Sequence, residues 1–171
     1  MQGRMAVHTA RHGGEVSLLW VQSWPDYTIT LSGPLGHGLV RLERGAGGAQ
    51  LEDEHQHVYR AASAEELLFK TTGWRVPLSG LDYWVRGLPV PGVPHVQTLD
   101  DAGLLRQLRQ SGWRIRFLAY RRFGSYVLPS AMELTRMMPA PQGRGFRTPS
   151  SGRKFRQVDA RLVIERWAYL R

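Results

Sequence analysis

The sequence predicts a mainly β, antiparallel protein whose sheet has one apolar face and carries a short helical insert. Alternation of apolar and polar side chains is the first indication. Along 26–32, Tyr27, Ile29 and Leu31 point to one side and the polar residues between them point to the other. Clusters rich in Gly and Pro separate the alternating segments, as turns between antiparallel strands do. The expected sheet is therefore apolar on one side and polar on the other.

The strands are predicted in chain order from this alternation and from the turns between them. Before the helical insert they are expected at 3–9, 15–23, 26–32, 39–44, 50–54 and 58–61. After it they are expected at 104–110, 113–121 and 128–134, and 156–171 makes one or two more. Three prolines within 89–94 indicate an extended connector, and the Pro-, Gly-, Ser- and Arg-rich stretch 139–154 indicates a flexible loop.

The helical insert lies at about 63–88 and is called the lid below. Ser63-Ala64-Glu65-Glu66 is a capping box that begins a first helix, which ends at Gly73. A second helix can begin at Pro77 and is expected over 77–88. Apolar residues recur along it at helical spacing and predict one broad apolar face: Leu78, Leu81, Trp84, Val85 and Leu88. We expect the lid to cover an opening in the sheet.

The turn at 33–38 is unusual because Gly33, Pro34 and Gly36 surround a large aliphatic residue, Leu35. One interpretation is that Leu35 folds back onto the core. The other is that it is held out as an apolar loop tip for a membrane or a partner. The residues alone leave both interpretations open.

Positive charge is concentrated in the second half of the chain. The net charge is +9; residues 100–171 hold 15 Lys and Arg against 5 Asp and Glu, whereas residues 1–99 hold 8 against 9. This asymmetry indicates a polyanionic partner, either nucleic acid or an anionic membrane surface. The alternative is that Arg simply fills ordinary solvent-exposed positions.

Several classes of protein and site are disfavoured. The 171 residues predict one domain over 1–171, and no run of about 18 apolar residues is present to form a transmembrane helix. The absence of Cys excludes disulfides, thiolate catalysis and cysteine zinc sites. His55 and His57 share a strand face, but a His pair without a third fixed ligand is a weak metal signal. No enzyme motif is found, so neither an enzyme nor a cofactor is expected.

The order of these features resembles the LolB family of outer-membrane lipoproteins. Gly33-Pro34-Leu35-Gly36 resembles the family's Asn-Pro-Leu-Gly turn. The most specific match runs from Thr72-Gly73-Trp74-Arg75-Val76-Pro77-Leu78 through Tyr83-Trp84-Val85-Arg86-Gly87-Leu88-Pro89. Leu128-Pro129-Ser130-Ala131-Met132-Glu133-Leu134-Thr135 and the ending around Leu162, Ile164 and Trp167 complete a resemblance over nearly the whole chain.

The resemblance implies an incomplete, half-open antiparallel β-barrel of about ten or eleven strands, with short helices plugging the opening. It implies a protein that is not an enzyme and uses no cofactor or metal. Such a protein receives the acyl chains of lipoproteins from the periplasmic carrier LolA and inserts the lipoproteins into the inner leaflet of the outer membrane. Leu35 matches the family's protruding loop Leu, so cargo insertion into the membrane is expected at Gly33, Pro34, Leu35 and Gly36. A monomer that does not bind nucleic acid is expected at the periplasmic face of the outer membrane.

We expect the apolar strand faces to line one acyl-chain cavity, and four residues of the lid to close it. The expected lining is Val16, Leu18, Trp20, Tyr27, Ile29, Leu31, Val40, Leu42, Ile115, Phe117, Met132, Leu134, Leu162 and Ile164. The closing residues are Leu67, Leu81, Trp84 and Val85. The alternative is that the same residues fill a solid core.

Three departures from the family pattern accompany the resemblance. The family begins with a lipidated Cys after a signal peptide and with a first helix, and neither has a counterpart at 1–5. Either the sequence starts within the gene or this is an unanchored variant; the resemblance implies a lipid anchor that this sequence does not contain. The loop 139–154 is longer than the family pattern, and Gly33 replaces an Asn. The basic residues Arg144, Arg147, Arg153, Lys154 and Arg156 are candidates for contact with anionic lipid or with the carrier.

A basic module that binds single-stranded nucleic acid is the alternative function. Its candidate stacking residues are Trp113, Phe117, Tyr120, Phe123 and Tyr126, interleaved with Arg. The alternation disfavours it, because Trp113 and Phe117 fall on the apolar face rather than on the Arg face.

Overall fold

A computed structural model describes residues 1–8, 13–23, 25–33, 38, 40–136 and 159–168. The described residues form eleven strands and two helices. The elements are β1 (Gln2–His8), β2 (Gly13–Ser23), β3 (Asp26–Ser32), β4 (Val40–Gly45), β5 (Gly48–Glu52), β6 (Val58–Ala61), α1 (Ala64–Thr72), α2 (Leu78–Trp84), β7 (His95–Leu99), β8 (Leu105–Gln110), β9 (Trp113–Phe123), β10 (Tyr126–Arg136) and β11 (Asp159–Arg166).

All the described strands belong to one antiparallel sheet. Its order is β6-β5-β4-β3-β2-β1-β11-β10-β9-β8-β7, so the first and last strands of the chain pair in the middle and β6 and β7 are the edges. The register of β1 with β11 runs from Gln2 opposite Arg166 to His8 opposite Asp159. An open antiparallel sheet with two short helices confirms the predicted fold class.

The buried face of the sheet follows the alternation in the sequence. In β3, Tyr27, Ile29 and Leu31 are buried, while the residues between them are half-buried. The register places Ile29 between Trp20 of β2 and Leu42 of β4, so that inward-facing apolar residues form cross-strand rows. Since a one-residue slip would turn the whole apolar set outward, burial of this face also fixes the register.

Strand β7 was missed by the sequence analysis, which placed 95–99 between the connector and the next strand. All five of its residues are exposed, including Val96 (67% exposed) and Leu99 (50%). An edge strand that buries neither face shows no alternation, which explains the miss.

Two further differences concern the strands after the lid. The strand predicted at 128–134 extends over Tyr126–Arg136, and 156–171 contributes a single described strand, β11. The alternation of β9 places Ala119 on the same face as Phe117, but Ala119 is exposed because the pairing of β9 with β10 shifts register between Pro129 and Met132.

Both predicted helices are present, but the second is shorter than expected. Ser63 caps α1, its side chain accepting a hydrogen bond from the Glu66 N–H, and Gly73 ends the helix at a φ of 73°. The prediction of a helix over 77–88 was wrong at its end, because α2 stops at Trp84 and Leu88 is 51% exposed. Neither helix of the described chain has the length and apolar character that a membrane crossing would need.

Candidate functional site

The residues predicted to line the cavity come together in one apolar cluster beneath the two helices. Twelve of the fourteen are buried, and Val16 and Val40 are partly buried against the same cluster. The four predicted closing residues, Leu67, Leu81, Trp84 and Val85, are buried in it as well. The strands and the lid therefore share one continuous core.

Little free space remains inside this core. A void of about 10 Å³ lies between the strands and the lid, which is at the lower limit for a single water molecule. Three of the residues around it, Met5, Leu68 and Leu78, were not among the predicted cavity residues. Leu78 lies on the apolar face predicted for the second helix, so that signal could have found it. In this conformation the lid fills the space that an acyl chain would need.

Gln110 holds the end of α2 and the following connector against strand β8. Its side chain is 2% exposed. The Gln110 Oε1 atom accepts hydrogen bonds from Trp84 Nε1 (2.9 Å) and from the Val90 N–H (2.8 Å). The Gln110 Nε2 atom donates to the carbonyl oxygens of Val90 (3.0 Å) and Val93 (3.1 Å). All the donors and acceptors of the buried amide are thus satisfied, and we call this contact the Gln110 latch.

Gly80 leaves room for the Trp84 indole beside helix α2. A Cβ at residue 80 would stand 2.6 Å from the Cη2 and Cζ2 atoms of Trp84. Any side chain there would displace the Trp84 indole, which is fully buried and held by Gln110. Sequence reasoning missed this role, because a Gly within a helix normally indicates only weak helix propensity.

Glu65 joins the beginnings of the two helices. Its carboxylate accepts a hydrogen bond from the Ser79 N–H (2.9 Å) and another from the Ser63 hydroxyl (3.1 Å). Partial burial on its own would raise the pKa of Glu65, but the hydrogen bonds, chiefly the one from the Ser79 N–H, outweigh it and lower the pKa from its ordinary value of 4.5. The ionised carboxylate therefore ties α2 to α1.

The lid should consequently loosen in acid through Glu65. A carboxyl group whose pKa is depressed in the folded state adds stability above its unfolded pKa, and this stability is lost as the pH falls through the folded pKa. We expect Glu65→Gln to be less stable than the wild type at pH 7; the difference should begin to shrink near the unfolded pKa of 4.5 and disappear once the pH is below the lowered folded pKa. Urea unfolding between pH 3 and 7 measures this, with Glu66→Gln as the control, because the Glu66 carboxylate pairs with exposed Lys70 rather than with α2. If the stability difference between Glu65→Gln and the wild type did not depend on pH, the ionised Glu65 carboxylate would not be what stabilises the lid.

Asp53, His55 and His57 form the one group of potential metal ligands found among the described residues. Their ligand atoms lie within 4.8 Å of one another. However, the Asp53 carboxylate already has partners within the hairpin. Its Oδ1 atom accepts hydrogen bonds from the backbone N–H groups of His55 and His57. Its Oδ2 atom accepts a hydrogen bond from the Tyr59 hydroxyl and contacts His57 Nδ1. This carboxylate is already used to hold the turn between β5 and β6, so the cluster is explained as turn structure.

Gly38 contacts the same hairpin, because its N–H donates to the Glu54 carboxylate (2.9 Å). Of the four predicted membrane-insertion residues, Gly33 lies within the described chain, whereas Pro34, Leu35 and Gly36 lie outside it. The basic cluster between 144 and 156 and the predicted loop 139–154 also lie outside the described residues.

The aromatic residues of the basic half are mostly directed into the protein. Trp113 and Phe117 are buried in the core, and Tyr120 donates its hydroxyl hydrogen to the Leu105 carbonyl oxygen. The intervening arginines include Arg116, which pairs with Glu133 on the outer face. Rings in these positions cannot stack on bases.

The family model described as "Outer membrane lipoprotein LolB" matches residues 1–167. The chain belongs to the LolB family. Among the curated proteins, it is 40% identical over 134 residues to the outer-membrane lipoprotein LolB of Pseudomonas putida (strain W619). The same identity and length are found with the protein of that name in Pseudomonas aeruginosa (strain LESB58).

The match to these two relatives covers 78% of this LolB-family chain and 65% of each relative. The chain thus spans slightly less than two thirds of the relatives' length. The apolar interior, the lid and strands β1 to β11 all lie within the residues that the LolB family model matches.

Proposed function

We propose that this chain receives lipoproteins at the outer membrane by taking their acyl chains into the apolar interior of the sheet, and then inserts them into that membrane. The observation that supports the proposal best is the construction of the interior. A continuous apolar surface is covered by two short helices, and few polar contacts hold α2 in place, notably the Gln110 latch and the Glu65 carboxylate. Such a cover can move without breaking the hydrogen bonds of the sheet.

The energetics favour shielding the acyl chains during transfer. Each methylene group left in water costs about 0.8 kcal/mol, so several exposed acyl chains would make a free lipoprotein intermediate very unfavourable. Opening the lid exposes apolar surface as well, but an incoming acyl chain covers that surface again. We therefore propose that lid opening and acyl-chain uptake are coupled.

Membership of the family supports a donor and a destination for the lipoprotein. We propose that the periplasmic carrier LolA delivers the lipoprotein and that the protein works as a monomer at the periplasmic face of the outer membrane. We further propose that Leu35 contacts the inner leaflet, where an exposed apolar side chain adds a small anchoring energy. No chemical step or cofactor is needed for this transfer.

The test is saturable binding of a fluorescent fatty acid to the purified chain. We expect Leu31→Phe to weaken binding by about tenfold, because the small residual void cannot take the larger ring without displacing either the lid or the ligand. Leu118→Phe is the matched control, since Leu118 is exposed on β9. An absence of saturable binding to the wild type would overturn the proposal.

Leu35→Glu separates binding from delivery in the same experiment. It should bind the fatty acid as the wild type does, but should fail to pass a triacylated peptide to phospholipid vesicles. Equal delivery by Leu35→Glu and the wild type would remove Leu35 from the proposal.

A further inference from the structure

A second apolar site lies outside the closed core, at one end of the sheet. It is a groove of about 370 Å³ between the end of β2, the end of α2 and the residues that follow β11. Its apolar lining includes Leu19, Trp20, Val85 and Trp167. Its volume is within the range of small-ligand sites in proteins, whereas the interior void of about 10 Å³ is not.

Trp20 separates the groove from the interior void, because its side chain lines both. The indole is nearly fully buried, packs against Tyr27 with ring centroids 5.4 Å apart, and donates its N–H to Gln22 Oε1 (3.1 Å). On the lid side, Leu81 lines the void and Val85, one turn later, lines the groove. The groove and the interior are therefore neighbouring apolar spaces with one side chain between them.

The polar groups of the groove indicate which part of a ligand it would hold. The Nε1 atom of Trp167 is buried and has no hydrogen-bond partner among the described residues. A buried N–H without a partner is unfavourable, and a carbonyl oxygen would satisfy it. The other polar lining residues include Asp82 and Arg86, which form an ion pair (2.7 Å) with each other. The groove thus combines an apolar wall with the unpaired N–H of the Trp167 indole.

We propose that this groove binds the carbonyl end of an acyl chain joined through an ester or amide, and that the chain passes Trp20 from there into the interior. The carbonyl oxygen accepts from Trp167 Nε1, and the first methylenes lie along Leu19 and Val85. This inference rests on the proposed function, because it names the route by which the interior is reached.

The groove lies near one end of strand β3, so the proposed uptake would begin at that end of the sheet. In β3, Asp26 pairs with Ser23 of β2 near the groove, whereas Ser32 precedes the turn at 33–38. These two ends of the strand are about 20 Å apart at the rise of an antiparallel strand. Uptake at the groove would therefore occur at the end of β3 opposite to Ser32.

The test measures uptake rates of a fluorescent dodecanoyl amide by stopped flow. Ala168→Trp places a bulky side chain in the groove at an exposed position and should slow uptake at least tenfold. Ala62→Trp is the matched control, because Ala62 is exposed in a different groove, beside β5, and its substitution should leave the rate unchanged. Trp167→Phe keeps an aromatic side chain but removes the N–H donor, and should weaken amide binding about fivefold while leaving binding of a hydrocarbon probe unchanged.

The outcomes separate this inference from the proposed function. If the wild type binds neither probe, the proposed function itself fails. If the wild type binds but Ala168→Trp takes up the amide at the wild-type rate, the groove is not the route and the inference is overturned. If uptake slows with rising protein concentration and sedimentation shows a dimer, the groove binds a second copy of the chain. This result would also overturn the inference.

Discussion

Gln110→Met should lower the free energy of unfolding by about 3 kcal/mol, which corresponds to a fall in Tm of roughly 6–12 °C for a domain of this size. Methionine fills nearly the same volume as glutamine but cannot hydrogen-bond to Trp84 Nε1, the Val90 N–H or the two carbonyl groups. Trp84 Nε1 and the N–H and carbonyl groups of Val90 would lose this partner, whereas the Val93 carbonyl oxygen also lies 3.2 Å from His95 Nδ1. The expected loss is large because four hydrogen bonds depend on one side chain.

The same substitution should make acyl-chain uptake faster. If the Gln110 latch holds the lid closed, weakening it raises the population of the open state, and a fluorescent fatty acid should then enter more quickly. Urea unfolding and stopped-flow uptake measure the two effects. A purely structural role for Gln110 would lower stability without speeding uptake.

Gln107→Met is the matched control for this experiment. Gln107 lies on the same strand, β8, three residues before Gln110, but is only half-buried. The same chemical change there should alter stability by less than about 0.5 kcal/mol. A comparable loss in both variants would show that the strand, and not the Gln110 latch, is sensitive to the substitution.

Gly80→Ala should destabilise the protein by about 1–2 kcal/mol, although alanine favours helices over glycine by about 1 kcal/mol. The new methyl group would stand 2.6 Å from the Trp84 ring, so either the indole leaves its site or α2 moves away from the sheet. Overpacking of this kind costs about 1–3 kcal/mol, and breaking the hydrogen bond to Gln110 adds to it. Helix propensity alone predicts that Gly80→Ala raises the free energy of unfolding, whereas the contact with Trp84 predicts that it lowers it.

A double-mutant cycle with Trp84→Phe tests whether contact with the Trp84 ring causes the loss of stability in Gly80→Ala. Phenylalanine lacks the Cζ2 and Cη2 atoms that a methyl group at position 80 would meet. In the Trp84→Phe background, Gly80→Ala should therefore be neutral or stabilising, and the coupling energy should approach the size of the single-mutant loss. Additive effects would mean that Gly80 acts through the backbone rather than through Trp84.

The sequence predicted the elements that are governed by local rules. Alternation identified β3 and its buried residues because side chains in a strand point to opposite sides in turn. The capping residue Ser63 and the terminating Gly73 were identified because their roles depend on neighbouring residues alone. The length of α2 was overestimated, since the apolar spacing continues to Leu88 although the helix ends at Trp84.

The apolar cluster was predictable as a set of residues but not as a shape, and its role as an acyl-chain site stays a prediction. The predicted lining and closing residues are buried or partly buried in one cluster, with Leu35 outside the described chain. Whether such residues surround a cavity or pack together depends on how closely the lid approaches the sheet. In this conformation the two helices approach closely enough to leave a void of only about 10 Å³.

The sequence by itself determined most of the side chains that face inward, because the period of two in a strand and of 3.6 in a helix assigns the residues of a regular element to a face. It failed in the exposed edge strand β7 and where β9 shifts register against β10. The tertiary structure alone decided what holds the lid closed. The Gln110 latch joins residues 26 positions apart, and the Glu65 contact with Ser79 joins residues 14 apart. Contacts of this range depend on how separate elements are placed against each other, and no periodicity in the chain records that placement.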